Sequence, residues 1–136
     1  MTNITITRSI PAPADQVWGV LKTFRLDYFP GYPHTVTGAG AGAERAFSLP
    51  DGEMIERIAS FDDPGMTLTY EIVSSPWPVS DYLATVRVEP AGDGEAAVVS
   101  WSAEFEPDGV SEEQASELAA GTFKMNLKAL EKYMAA

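Results

Sequence analysis

The chain has 136 residues, 45% of them hydrophobic and 21% charged, which is enough apolar material for one folded core and excludes a disordered tail. Nine basic residues face 20 acidic ones, a net charge of −11 that repels phosphate backbones and anionic lipid, so neither nucleic acid nor a membrane surface is expected as partner. There is no cysteine, which removes disulfide scaffolds, thiolate zinc sites and cysteine nucleophiles together and agrees with a reducing compartment.

Met1–Thr5 carries neither the basic nor the apolar region of a signal peptide, and no apolar run reaches the roughly 18 residues that span a bilayer, so a cytoplasmic location is expected. Ile4–Ile10 alternates apolar and polar residues, the period of a half-buried strand. Pro11-Ala12-Pro13 stops it, and Pro13 with Asp15 suits the start of a helix running to about Thr23. Leu26, Tyr28 and Phe29 add a short turn before Pro30-Gly31. Thr35–Thr37 and Arg45–Leu49 read as strands on either side of a flexible Gly38–Gly42 loop. That loop resembles a dinucleotide fingerprint, but a strand follows it where the fingerprint needs a helix.

Pro50-Asp51-Gly52 is a tight hairpin turn into the return strand Glu53–Phe61, and Asp62-Asp63-Pro64-Gly65 is the next turn. Strands follow at Thr67–Val73, Ser80–Glu89 and Ala96–Glu106, each with clean alternation. Ser111 and Gln114 form a capping box at the head of a long helix over about Glu112–Met134, roughly 35 Å at 1.5 Å per residue. A strand, a helix, a run of consecutive strands and a long helix predict an α+β fold in a single domain over residues 1–136. An antiparallel meander of six or seven strands curves around the C-terminal helix.

Three features could carry chemistry. On the helical wheel Ala115, Ala119, Phe123, Leu127, Leu130 and Met134 form a buried stripe, with Asn126 near its middle and Thr122 on its flank. A buried amide left unpaired costs about 1–3 kcal/mol, so Asn126 needs a side-chain, water or ligand partner. Gly121 in the same helix marks either close packing or room for a ligand. Glu56 shares a strand face with Met54, Ile58 and Ser60, opposite Ile55, Arg57, Ala59 and Phe61; the period alone does not say which face is buried. Pointing inward, its carboxyl would sit in an apolar surround and could hold a ligand or act as a general base. The aromatics Trp101, Tyr82, Tyr70 and Trp77 fall on inner faces or at the sheet edge, beside these polar groups, as in a small-molecule pocket. With His34 as the only histidine, a zinc site or a serine–histidine triad would have to be built on that residue, and no metal or cofactor is expected.

Ile10-Pro11-Ala12-Pro13 with Val17-Trp18, Leu49-Pro50-Asp51-Gly52, Glu56-Arg57, Asp62-Asp63, Pro78–Tyr82 and Asn126-Leu127 together resemble the SRPBCC (START-like, helix-grip) superfamily. The likeness is to its bacterial polyketide cyclase/dehydrase-like branch, with plant abscisic acid receptors as more distant members. The resemblance implies a curved antiparallel sheet gripping the C-terminal helix around a cavity. It places Glu56, Tyr82, Trp101, Leu118, Thr122 and Asn126 at pocket-lining positions. Ser48-Leu49-Pro50 is similar to the receptors' gate loop, and Trp77-Pro78-Val79 falls at their latch. The gate hairpin is short, which argues against a large closure, and the basic residue that meets the receptors' acidic ligand has no evident counterpart. The expected function is binding of a small, mainly apolar molecule by a monomer or homodimer. Trp101, Tyr82 and Leu118 would give apolar contact, Glu56, Asn126 and Thr122 would fix orientation, and Trp77 and Leu49 would sit at the mouth. The alternatives are a polyketide cyclase or dehydratase, with Glu56 as acid or base and Tyr82 as proton donor, and a partner-binding domain without a ligand.

Overall fold

The computed structural model describes residues 1–135. The elements follow the expected order: β1 (Thr2–Ile10), α1 (Ala14–Leu21), β2 (His34–Thr37), β3 (Glu44–Leu49), β4 (Gly52–Asp62), β5 (Thr67–Ser74), β6 (Val79–Ala91), β7 (Ala96–Pro107) and α2 (Glu112–Ala135). The strands form one antiparallel sheet in the order β1-β7-β6-β5-β4-β3-β2. Every connection from β2 to β7 is therefore a hairpin, and only β1 joins from the far edge. The sheet curves over α2, the helix-grip arrangement.

The capping box forms as read. The Gln114 N–H donates to Ser111 Oγ (3.1 Å) and the Ser111 N–H to Gln114 Oε1 (3.1 Å). The buried stripe of α2 comprises Ala115, Ala119, Phe123, Asn126, Leu127 and Leu130, with Met134 half-buried at the end. It packs chiefly on β1 and β7. Trp101 stacks on Phe123 with ring centroids 5.8 Å apart, tying β7 to the helix.

α1 is shorter than its apolar pattern suggests. It ends at Leu21 because Phe24 takes a left-handed backbone (φ 62°), a conformation that costs a side-chain-bearing residue about 1–2 kcal/mol. Burial of the ring, 2% exposed, offsets that cost. The segment that follows is fixed by the single histidine. Nε2 of His34 accepts the Leu26 N–H (3.0 Å), and its Nδ1–H donates to the Tyr32 carbonyl (2.8 Å). Both ring nitrogens thus serve the backbone.

Three register shifts break the ladders, one of them between Ile55 and Glu56 opposite β5, and the other two change which residues face inward. In β4 the register slips between Ile58 and Ser60, so Ser60 is exposed while Phe61 turns inward onto Trp18 (centroids 5.7 Å). In β6 it slips between Ser80 and Leu83, with Asp81 left-handed (φ 52°), which leaves Val79 rather than Ser80 packed with Tyr82 against the core. The Asp62-Asp63 pair behaves as turn residues. Asp62 accepts the Gly65 N–H (3.1 Å), and Asp63 accepts the Trp18 indole N–H (2.7 Å) and so anchors α1.

Gly121 corrects both readings offered for it. It lies on the exposed face of α2, and a Cβ there would meet nothing within 4 Å. It neither packs closely nor makes room for a ligand. Gly121→Ala should therefore stabilise the protein by up to about 1 kcal/mol, seen as a rise of a few degrees in thermal midpoint with no change in the near-ultraviolet circular dichroism spectrum.

Candidate functional site

Because α2 leans on β1 and β7, the opposite half of the sheet curves away from it and encloses a cavity of about 530 Å³. That volume falls within the roughly 300–1,000 Å³ of small-molecule sites. The walls are mostly apolar. β3 and β4 supply Phe47 and Met54, α2 supplies Phe123, and the His34-clipped segment supplies Leu26, Phe29 and Tyr32.

The expected residues converge on this space with one exception. Glu56 and Tyr82 line it from the sheet, and Leu118, Thr122 and Asn126 from α2. Leu49, in the β3–β4 hairpin, and Trp77, in the β5–β6 loop, stand together at its mouth, where Gly52 lies beside Pro76. Leu118 is 37% exposed and so belongs to the mouth rather than the interior. Trp101 is the exception. It is 1% exposed and does not line the cavity; Phe123 and Tyr70, which do, cover it. Its indole N–H donates to the Tyr70 hydroxyl (2.9 Å), so it supports the wall from behind.

The phase of β4 places Glu56 inward with Met54 and Ile58. The apolar surround expected for its carboxylate is absent. Arg45, directly opposite on β3, donates Nε–H to Glu56 Oε1 at 2.6 Å, and both side chains are buried. Arg45 also donates from Nη1 to the Phe24 carbonyl (3.3 Å), and its Cζ lies 4.0 Å from the centre of the Phe24 ring and 5.1 Å from that of Tyr70. Burial alone would weaken the hold of Arg45 on its proton, but Glu56, with Tyr28 and Tyr70 behind it, outweighs burial and moves the pKa upward.

The surrounding phenols are kept neutral. Burial, opposed by Arg45, pushes Tyr28 up to about 12. Burial, with Glu56 adding to it, raises Tyr70. Burial, then Tyr70 and Glu56, holds Tyr82 well above the usual phenol range. The Thr122 hydroxyl donates to the Leu118 carbonyl (2.9 Å), which leaves it as an acceptor. The Asn126 amide makes no hydrogen bond to another described residue although it is 9% exposed. The Tyr28 hydroxyl is likewise without a partner among the described residues. No group of three or more His, Asp or Glu side chains among the described residues is arranged to hold a metal ion.

Arg45 is the site residue that the sequence reading missed. The signal was present: in a hairpin whose turn pairs Leu49 with Gly52, counting back along both strands sets Arg45 against Glu56. The arrangement offers an apolar chamber with one charge-balanced polar patch on the sheet and an amide facing it from the helix.

With this geometry in place, the chain can be set beside known proteins. It matches the family described as polyketide cyclase / dehydrase and lipid transport over residues 1–135. The chain belongs to this family. This family member is similar to an uncharacterized protein from Bacillus thuringiensis, at 32% identity and a TM-score of 0.88, covering 99% of this chain and 100% of the other. The protein XoxI from Bacillus cereus is similar at 33% identity and a TM-score of 0.88, with 98% and 96% covered. Norcoclaurine synthase from Thalictrum flavum, seen in complex with dopamine and hydroxybenzaldehyde, shares the fold at 20% identity and a TM-score of 0.76, with 96% and 84% covered. No curated protein matches the chain. No helix among the described residues is long and apolar enough to cross a membrane.

Removing one member of the buried pair strands the other's charge. Arg45→Met should destabilise the protein by about 3–5 kcal/mol, and Arg45→Met combined with Glu56→Leu should recover most of that loss in urea unfolding. A double variant as unstable as the single one would show that the hydrogen bonds of Arg45, not the stranded charge, dominate.

Proposed function

We propose that the protein binds a small, mainly apolar molecule in the cavity between the sheet and α2. The observation that carries this reading is the 530 Å³ hollow itself, apolar on most sides yet bordered by polar side chains, among them the Asn126 amide that has no hydrogen bond to another described residue. A close-packed interior does not leave such a space, and an amide on its wall can both donate to and accept from a bound molecule.

In this reading Tyr82, Phe47, Met54 and Phe123 contact the apolar body, with Leu118, Leu49 and Trp77 at the mouth. Glu56 with Arg45, Asn126 and Thr122 orient the polar end. The absence of cysteine and the strongly acidic surface support a cytoplasmic carrier or receptor acting as a single domain. A cyclase-type activity is the lesser reading. It asks Glu56 to act as acid or base, and its carboxylate is engaged by a guanidinium at 2.6 Å.

Trp77 provides the test. Of the three tryptophans it alone lines the cavity, while Trp18 and Trp101 are 3% and 1% exposed in the core. Titration with a panel of small apolar alcohols and phenols should shift tryptophan emission. Trp77→Phe should abolish the shift while calorimetry still detects binding, and Thr122→Trp, which fills the hollow, should weaken binding by about tenfold or more. Failure of the whole panel to bind the wild-type protein would remove this reading.

A further inference from the structure

The charges inside the cavity carry a statement about its ligand, one that rests on the binding reading above. Three charged residues line the space: Arg45 and Glu56 on the sheet wall and Asp51 at the exposed tip of the β3–β4 hairpin. The first two cancel. Arg45 already commits Nε to Glu56 at 2.6 Å and Nη1 to the Phe24 carbonyl at 3.3 Å, and the Phe24 and Tyr70 rings pack against it at 4.0 and 5.1 Å. Nothing else cationic among the described residues borders the cavity.

A carboxylate brought to Arg45 would share it with Glu56, in a buried setting where like charges repel strongly, and would first approach past Asp51 on a chain of net charge −11. An ammonium group brought to Glu56 would meet the Arg45 guanidinium in the same way. Either ion would lose its hydration without gaining an uncompensated opposite charge. An uncharged hydrogen-bonding head has neither difficulty. The Arg45 hydrogen bond engages Glu56 through Oε1, which leaves Oε2 to accept. The Asn126 amide can both donate and accept, and Thr122 Oγ1, its proton committed to Leu118, can accept.

We infer that the Arg45–Glu56 pair makes the cavity selective for apolar molecules with an uncharged hydrogen-bonding head, such as an alcohol, a phenol or a primary amide, and rejects the carboxylate and ammonium analogues of the same body. The pair acts as a charge-balanced filter, not as an ion receptor.

The test compares one apolar body with four heads: octanol, octanamide, octanoate and octylammonium, titrated calorimetrically into the wild-type protein at neutral pH. Octanol and octanamide should bind at least about tenfold more tightly than either ion. Octanoate or octylammonium binding as tightly as octanol overturns the selectivity and leaves the cavity reading standing; no binding by any of the four removes both. Glu56→Gln supplies a second measurement, because it uncovers the charge of Arg45. In that variant octanoate should become the tightest of the series and raise the thermal midpoint, which it should not do for the wild type. Octanoate remaining a weak ligand of a folded Glu56→Gln protein overturns the inference. Should that variant not fold, the wild-type series decides alone.

Discussion

The contact between Arg45 and Glu56 ties three parts of this molecule together. It joins neighbouring strands, holds the backbone that leaves α1 through the Phe24 carbonyl, and forms the polar part of the cavity wall. Two charges taken out of water lose hydration that their mutual attraction only partly restores, so such a pair is a weak source of stability by itself. Here the loss is limited by geometry. The guanidinium rests against the Phe24 and Tyr70 rings, donates to a carbonyl and is matched by a carboxylate, and three buried phenols kept in their neutral form lie near it.

The cavity is a consequence of asymmetric packing. α2 presents small residues, Ala115 and Ala119, to the β1–β7 side and seats itself closely there. On the far side Phe47 and Met54 of β3 and β4, with Leu26, Phe29 and Tyr32 of the segment clipped by His34, line the cavity. Tyr32 ties that segment to the hairpin by donating its hydroxyl hydrogen to the Ser48 carbonyl (2.8 Å). Loop, hairpin and wall are thus tied by hydrogen bonds into one frame around the cavity.

Most of the fold was legible in the sequence because its signals are local. Alternation in β5, β6 and β7, the turn prolines and glycines, and the Ser111–Gln114 box each report on a few adjacent residues, and all agree with one meander and one long helix. What could not be read depends on distant parts of the chain. The end of α1 follows from the left-handed backbone and buried ring of Phe24, not from the helix's own pattern. The bulges in β4 and β6 change which residues face inward without a composition signal, so Ser60 and Phe61 exchange their expected sides. In the site, Asn126, Thr122, Glu56 and Tyr82 were found from wheel and strand phase together with family resemblance. Trp101 was misplaced because an inward face leads either to the cavity or to the packed core, and only the third dimension distinguishes them.

The grip of Arg45 on Phe24 has a consequence for how this chain can tolerate change. A strained turn is secured by a side chain that also decorates the pocket, although the two residues lie 21 positions apart. Mutational drift at Phe47, Met54 or Leu118 can reshape the chamber one step at a time. Drift at position 45 cannot, because it releases the turn as it alters the pocket. In this chain the shape of the chamber can therefore change gradually, whereas its electrostatic character changes only when several residues change together.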